Sequence, residues 1–205
     1  MEAIFSATLR QPLLIVLSGA SGSGKDSVLR RMKDRGLPFH FVITATTRKP
    51  RPGEVDGQDY FFVSHERFAA MIENGELLEH AIVYSDYKGI PKQQVRQALD
   101  SGQDVVMRID VQGAETIRAL CPEALLIFLV PGSEEEMIRR LQKRQTEAAA
   151  DLQLRIETAR QELKRMHVFD YYVVNADERL DAAVDMIEAI IAAEHQRIHP
   201  RRVTL

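Results

Sequence analysis

The chain has 205 residues, and its 27 Lys and Arg against 30 Asp and Glu give a formal net charge of −3. This near balance argues against a dedicated nucleic-acid-binding protein, which normally carries a basic excess. The single cysteine, Cys121, excludes an internal disulfide, and no apolar run approaches the roughly 20 residues of a membrane helix. The first residues lack a basic-then-apolar signal pattern. We therefore expect a soluble cytoplasmic domain with neither nucleic acid nor a membrane as partner.

Short apolar runs alternate with amphipathic stretches along the chain, which is typical of an α/β fold with a parallel sheet flanked by helices. The predicted core strands are residues 13–18, 104–110, 124–130 and 171–174. The predicted helices are residues 25–34, 114–120, 134–143, 152–166 and 180–193.

Two segments interrupt this alternation. Between residues 42 and 101 the pattern predicts an inserted subdomain with its own small sheet. Its predicted elements are strand 41–45, loop 48–59, strand 60–63, helix 65–74 and strand 77–84. The second interruption, residues 139–155, is rich in arginine and shows no strand pattern. We expect the last residues, 199–205, to form a tail, and favour solvent exposure over zinc binding for His195 and His199.

A glycine-rich turn follows the first predicted strand and opens the first predicted helix. In that setting successive backbone N–H groups curl around a polyphosphate, and the helix N-terminus adds partial positive charge. The lysine of such a loop reaches the terminal phosphates. A purely structural glycine turn is the alternative. The candidate phosphate-binding residues are Gly19, Ala20, Ser21, Gly22, Ser23, Gly24, Lys25, Asp26 and Ser27.

Asp26 departs from the usual phosphate-loop motif, which has Ser or Thr after the lysine to bind Mg²⁺. A carboxylate is also a hard oxygen ligand, so Asp26 is a candidate metal ligand, directly or through water. The alternative is a helix-start residue favoured by the helix dipole alone.

A second cluster lies in the loop fixed by Pro50 and Pro52. Arg48 and Arg51 supply two guanidinium groups, and Tyr60 supplies a phenol beyond the following turn. Together they provide charge-assisted hydrogen bonds for a monophosphate. A solvated basic loop is the alternative.

These motifs resemble guanylate kinases, which transfer a phosphoryl group from ATP to GMP. The resemblance extends over about residues 13–193, and residues 46–63 match the family signature at every specified position. It implies a phosphate-loop NTPase-like core (about 10–42, 102–136 and 159–197), a GMP-binding insert (about 43–101) and a helical lid (about 137–158). It also implies ATP and GMP as substrates, with dGMP as a further acceptor, and Mg²⁺ as cofactor. The choice between a monomer and a homo-oligomer stays open.

The resemblance also implies roles for individual residues. Glu54 orients the acceptor loop, Asn175 lies near adenine, and Glu79 and Asp110 read guanine, whose N1–H and N2–H suit a carboxylate. Without the resemblance, Glu79 is equally well a surface charge and Asp110 a strand-end cap, and the lid arginines are a solvated helix face. The residues expected on the GMP phosphate are Thr44, Arg48, Arg51, Tyr60 and Lys88. The residues expected to act in phosphoryl transfer are Lys25, Arg48, Arg140, Arg144 and Arg155.

Four positions depart from the family pattern. Lys88 replaces a phosphate-binding Tyr, Ile90 replaces a hydroxyl expected on guanine O6, and Gln145 replaces a lid glycine. Arg108 replaces the acid two residues before Asp110. We hypothesise that Asp26 and Arg108 are linked, with the acid missing from the strand reappearing at the phosphate loop.

Two other functions compete with this interpretation. Guanylate-kinase-like interaction modules keep the fold but lose phosphate-loop residues, which this chain retains. The Gly-Lys-Asp-Ser sequence resembles the loop of ribose 1,5-bisphosphate phosphokinases, which share this fold but lack the complete 46–62 segment. Both are disfavoured on these grounds.

Overall fold

The computed structural model describes residues 11–83, 85–143 and 149–205, and arranges them around two sheets. The strands, in chain order, are β1 Leu14–Gly19, β2 His40–Phe41, β3 Thr44–Thr46, β4 Tyr60–Phe62, β5 Leu77–Val83, β6 Asp86–Pro91, β7 Val105–Arg108, β8 Leu125–Pro131 and β9 Tyr171–Asn175. The helices are α1 Lys25–Asp34, α2 His65–Glu73, α3 Lys92–Asp100, α4 Val111–Leu120, α5 Glu134–Lys143, α6 Ala149–Lys164 and α7 Leu180–Glu194, with a 3₁₀ turn at Arg165–Val168.

The larger sheet is parallel, in the order β2-β7-β1-β8-β9. All six residues of β1 are buried because helices cover both faces of the sheet. Leu13, Ile15 and Leu17 pack towards α1 and α7, whereas Leu14 and Val16 pack towards α3 and α4. The predicted α/β class is thereby confirmed. The carboxyl end of the central strand β1, where ligands of such sheets bind, leads directly into the glycine-rich turn.

The smaller sheet has the order β4-β3-β6-β5, with β3 and β4 parallel and the other pairs antiparallel. Its small core consists of Ala45, Phe68, Met71 and Leu77, two of them from α2. The sheet falls within the segment 43–101 that the sequence predicts as an insert.

The single strand predicted over residues 41–45 is wrong. His40–Phe41 belongs to the larger sheet and Thr44–Thr46 to the smaller one. Between them the Gln94 side chain satisfies the backbone of Ile43, accepting from its N–H at 2.9 Å and donating to its carbonyl at 2.7 Å. The chain therefore passes from one sheet to the other without leaving these polar groups unpaired.

The prediction for the C-terminal residues is wrong in part: His199 is exposed, as predicted, but His195, Arg201, Val203 and Leu205 are not. His195 is largely buried, with its Nε2 2.8 Å from Oδ2 of Asp104. The Arg201 side chain is buried and donates from Nε to Glu194 at 2.7 Å. Val203 and Leu205 pack against the core beneath α3 and α4. The final residues thus close one side of the domain.

Helices α5 and α6 pack over the glycine-rich turn, where Met137, Leu141, Ile156 and Ala159 bury Ala20. Arg144 and Gln145, which the resemblance places in the lid, lie outside the described residues. In the described part of the chain, no helix combines the length and apolar character needed to cross a membrane.

Candidate active site

The turn between β1 and α1 has a backbone that requires glycine at two points. A side chain at Gly19 would bring Cβ within 2.3 Å of the Leu129 carbonyl oxygen. Gly24 has φ +85°, and a Cβ there would lie 2.3 Å from Nδ2 of Asn175. This Nδ2 donates to the Ser23 carbonyl at 2.8 Å, so β9 braces the loop. These constraints hold the loop in one conformation around its N–H groups.

Two charged side chains occupy the phosphate loop. Lys25 Nζ donates to the carbonyls of Gly19 at 2.5 Å and Ala20 at 3.2 Å. The Ser21 N–H donates to Oε2 of Glu162, on α6, at 2.7 Å. Burial raises the pKa of Glu162, against the lowering effects of Lys25 and the Ser21 N–H.

The acceptor loop is organised by Glu54. Arg48 donates to its two carboxylate oxygens at 2.7 and 2.8 Å, and the Arg51 backbone N–H donates to it at 2.7 Å. Burial alone would raise the pKa of Glu54, but these hydrogen bonds outweigh it and hold the pKa below its ordinary value. The Arg48 guanidinium also lies 4.8 Å from the centroid of the Tyr60 ring. The backbone of the arginine loop is thus fixed while the Arg51 side chain is exposed.

Two carboxylates are expected to read guanine, and of these Asp110 lines the cavity above the phosphate loop whereas Glu79 does not. Glu79, on β5, is buried and packs against Gly113, where an added Cβ would lie 2.8 Å from Oε2. Burial, with the negative charge of Asp110, raises the pKa of Glu79 to about 8. Asp110 caps α4, accepting from the Gly113 N–H at 2.9 Å, and also lines the cavity above the phosphate loop. Asp110 therefore caps α4, as expected, and also lies in the candidate site.

The two substituted residues Asp26 and Arg108 are in contact. Nη1 of Arg108 donates a hydrogen bond to Oδ1 of Asp26. The Arg108 guanidinium also lies 4.7 Å from the Tyr60 ring centroid. Lys88 is near both, and burial together with the charge of Arg108 lowers its pKa to about 8.

Some buried polar atoms of the predicted site residues have no hydrogen-bond partner. Among the described residues there are five such side-chain atoms, and three belong to predicted site residues: Ser23 Oγ, Thr44 Oγ1 and Glu79 Oε2. Because unpaired buried polar groups are costly, the Thr44 hydroxyl, whose residue lines the cavity described below, is a candidate contact for a ligand.

One cavity brings together most of the predicted residues, from both sheets and from α6. Its lining includes Ser21, Gly22, Gly24, Lys25, Asp26, Thr44, Arg48, Arg51, Tyr60, Lys88, Arg108, Asp110, Arg155 and Glu162. Arg140 and Asn175 lie instead around a second cavity, on the other side of Gly22 and Gly24 and adjoining Ser27. There Arg140 pairs with Glu136 and donates to the Asn175 carbonyl at 2.9 Å.

Sequence reasoning missed two charged lining residues, along with the apolar Val83 and Ile109. The sequence predicts a link between Arg108 and Asp26 but no place for Arg108 in a binding cavity, and the contact between the two residues crosses from β7 to α1. Glu162 lies on a correctly predicted helix, but the local sequence does not indicate which face of that helix contacts the phosphate loop.

The fold and the site together define a phosphoryl-transfer protein of the phosphate-loop class. The family model described as guanylate kinase matches residues 11–194. "Guanylate kinase 2, chloroplastic/mitochondrial" of Oryza sativa subsp. japonica is 52% identical over 196 residues, 95% of this chain and 69% of that protein. "Guanylate kinase" of Clostridioides difficile is 40% identical over 190 residues, 93% of this chain and 92% of that protein.

A solved structure agrees with these sequence matches. The crystal structure of guanylate kinase from Anaplasma phagocytophilum has a TM-score of 0.75 and 28% identity, covering 92% of this chain and 89% of that one. The chain belongs to the guanylate kinase family. The predicted family is confirmed, and neither the interaction module nor the ribose 1,5-bisphosphate kinase receives support.

Proposed function

We propose that this chain transfers the γ-phosphoryl group of ATP to GMP, and also to dGMP, with release of ADP and formation of GDP or dGDP. The observation that carries the proposal is the single cavity in which the phosphate loop faces the Arg48, Arg51 and Tyr60 cluster. Family membership supports the substrate pair. The reaction belongs to GMP recycling and GTP supply, and we propose the cytoplasm as its compartment.

On the donor side, ATP lies along the phosphate loop. The N–H groups of residues 19–24 and the N-terminus of α1 receive its phosphates, and Lys25 leaves its loop carbonyls to contact the β- and γ-phosphates. The cavity bounded by Arg140 and Asn175 lies on the far side of Gly24, where the adenine is expected.

On the acceptor side, the GMP phosphate binds Arg48, Arg51, Lys88, the Tyr60 hydroxyl and the buried Thr44 hydroxyl. Glu79 and Asp110 accept from N1–H and N2–H of guanine, donors that adenine does not present at these positions. Ile90 is fully buried and offers no hydroxyl to guanine O6.

The chemistry requires no general base. A phosphate monoester is largely dianionic at neutral pH because its second pKa is about 6. Its oxygen attacks the γ-phosphorus, the bond from that phosphorus to the β–γ bridging oxygen breaks, and ADP departs. Catalysis is therefore positioning and charge neutralisation. Lys25 and Arg155 line the cavity where charge develops, and Arg140 and Arg144 are proposed to join them when the lid closes and excludes water.

The residues at the phosphate loop are compatible with Mg²⁺ that binds together with ATP. Among the described residues, no cluster of three or more His, Cys, Asp or Glu side chains could hold a metal. Kinase Mg²⁺ takes most ligands from phosphates and water, so one carboxylate suffices. When bound, Mg²⁺ neutralises charge on the β- and γ-phosphates. We propose Asp26 as its carboxylate, through water because Arg108 already donates to Oδ1.

A coupled assay of ADP formation tests the function. Purified protein is supplied with ATP, Mg²⁺ and, separately, GMP, dGMP, AMP and ribose 1,5-bisphosphate. We expect turnover with GMP and dGMP, and none above background with the other two. Folded protein that leaves GMP unconverted, or that prefers ribose 1,5-bisphosphate, contradicts the proposal.

A further inference from the structure

Arg108 connects the two sides of the cavity. Towards the phosphate loop, its Nη1 donates to Asp26. Towards the acceptor loop, its guanidinium lies 4.7 Å from the Tyr60 ring centroid, and the Arg48 guanidinium lies 4.8 Å from the same centroid. Only 13% of the Arg108 side chain is exposed. These contacts place a largely desolvated cation beside the residues proposed to hold the acceptor phosphate.

Asp26 uses only part of the donor capacity of Arg108. A guanidinium carries five N–H donors in a planar fork. Within the described residues Arg108 makes one hydrogen bond, the one to Asp26, and its side chain lines the cavity. A planar donor set of this kind suits a second anion, since phosphate oxygens accept paired hydrogen bonds from one guanidinium.

The charge of the cavity points to the same conclusion. Six cationic side chains line it against three carboxylates. The cations are Lys25, Arg48, Arg51, Lys88, Arg108 and Arg155, and the carboxylates are Asp26, Asp110 and Glu162. The three carboxylates leave an excess of three cationic side chains, whose mutual repulsion a bound anion would relieve. A purely structural Asp26–Arg108 pair would not need a position among these cations.

We propose that Arg108 is a GMP-binding residue whose guanidinium donates hydrogen bonds to the acceptor phosphate beside Arg48 and Tyr60. Asp26 is the positioning residue that holds this guanidinium towards the cavity. The role rests on the proposed function and adds a residue to it: the chain has a third acceptor-side arginine at a position where its family commonly has an acid. This arginine and Lys88 together supply positive charge where the family uses a second tyrosine.

Calorimetric titration with GMP and with guanosine, without ATP or Mg²⁺, tests the assignment. We expect Arg108→Gln to raise the Kd for GMP about 10- to 100-fold, the range of a charge-assisted hydrogen bond, and to leave the Kd for guanosine unchanged. Arg108→Lys recovers part of the loss. Arg67→Gln is the matched control, because Arg67 makes a comparable pair with Glu76 at 2.8 Å on the surface, and it leaves both values unchanged.

The outcomes separate this assignment from the proposed function. Wild-type protein that binds no GMP refutes the function itself. Wild-type binding with an unchanged Kd for GMP in folded Arg108→Gln, or an equal loss for guanosine, overturns the assignment of Arg108 alone.

Asp26→Asn tests the positioning role. We expect a smaller increase in the Kd for GMP than Arg108→Gln causes, with no further increase when the two changes are combined. Since Mg²⁺ is absent from the titration, this readout is independent of any metal contact by Asp26. Additive losses in the double variant would show that Asp26 does not act through Arg108.

Discussion

The Glu162 carboxylate of α6 accepts a hydrogen bond from the Ser21 backbone N–H, with 2.7 Å between Oε2 and N. This N–H belongs to the loop that is proposed to receive the ATP phosphates. The negative charge of Glu162 also interacts with Lys25, the lysine expected on the β- and γ-phosphates. The Glu162 carboxylate therefore interacts with two groups, the Ser21 N–H and Lys25, that are proposed to bind the ATP phosphates.

We therefore expect Glu162→Gln to lower the Kd for ATP several-fold. The amide keeps the size of the side chain but removes the charge that competes with phosphate for Ser21 and Lys25. Glu157→Gln is the control, since Glu157 lies on the same helix with an exposed side chain. Equilibrium titration with ATP, read by fluorescence of a labelled analogue displaced from the site, measures the change. An increase in the Kd would mean that Glu162 supports ATP binding instead.

Lys25→Ala tests the donor side of the site. We expect kcat to fall about 100- to 1,000-fold, because the lysine neutralises charge that develops on the transferred group. Lys33→Ala removes an exposed lysine from the same helix and should retain near-normal turnover. Steady-state kinetics measure the effect, and an unchanged circular dichroism spectrum shows that the fold is kept. A loss confined to KM would count against the assigned role.

Arg51→Ala tests the acceptor loop. The backbone N–H of Arg51, which holds Glu54, is unaffected by truncation of the side chain. We expect the KM for GMP to rise about 10- to 100-fold and the KM for ATP to stay within twofold. Lys49→Ala removes an equal charge from the same loop, at a side chain outside the cavity lining, and should change neither constant. An unaltered KM for GMP would remove Arg51 from the phosphate site.

The sequence alone predicts the core elements well, because their apolar periodicity is local. Helix α1 and helix α5 begin and end at the predicted residues, and all four predicted core strands fall within two residues of the observed bounds. Helix α4 begins at Val111 rather than at residue 114 because Asp110 caps it, a signal already present in Asp110 as a residue type preferred at the N-cap.

Features that depend on distant residues were not predictable. The separation of β2 from β3 relies on Gln94, which follows Ile43 by 51 positions. Strand β6 carries a lysine, a glycine and a proline and lacks strand periodicity, and the pairing with β5 and β3 forms it. The shift in the pKa of Glu79 likewise arises from burial against α4, which no local pattern encodes.

Glu79 makes GMP binding sensitive to protons. With a pKa of about 8, its carboxyl group is about 90% protonated at pH 7 in the free protein. The guanine N–H donors stabilise the carboxylate, so binding lowers this pKa. We expect Glu79 to release close to one proton on GMP binding at pH 7 and little above pH 9, where it is already ionised and where Lys88 instead takes up a proton as the phosphate binds.

Calorimetry in two buffers of different ionisation enthalpy counts these protons. Glu79→Gln should bind GMP more weakly with almost no net proton release at pH 7, because the small fraction from the phosphate of GMP, whose second pKa is about 6, is offset by uptake at Lys88. Equal proton release by the wild type and this variant would show that Glu79 keeps its proton in the complex.

Lys88 should give GMP binding the opposite dependence on pH, because its loss of charge weakens binding as the pH rises. This effect should be confined to the interaction with the phosphate of GMP. Its pKa of about 8 results from burial and Arg108, with Lys25 lowering it further and Asp26 and Asp110 raising it. Below pH 8 the ammonium is charged and attracts the phosphate, whereas above pH 8 it becomes neutral and the attraction is lost.

The ratio of the Kd for guanosine to the Kd for GMP isolates this effect, because the ionisation of Glu79 and of the base affects both ligands alike. We expect the ratio to fall several-fold between pH 7 and 9.5 in the wild type. It should stay low and flat in Lys88→Met, and high and flat in Lys88→Arg, since an arginine keeps its charge over this range. A wild-type ratio independent of pH would place the Lys88 ammonium away from the acceptor phosphate.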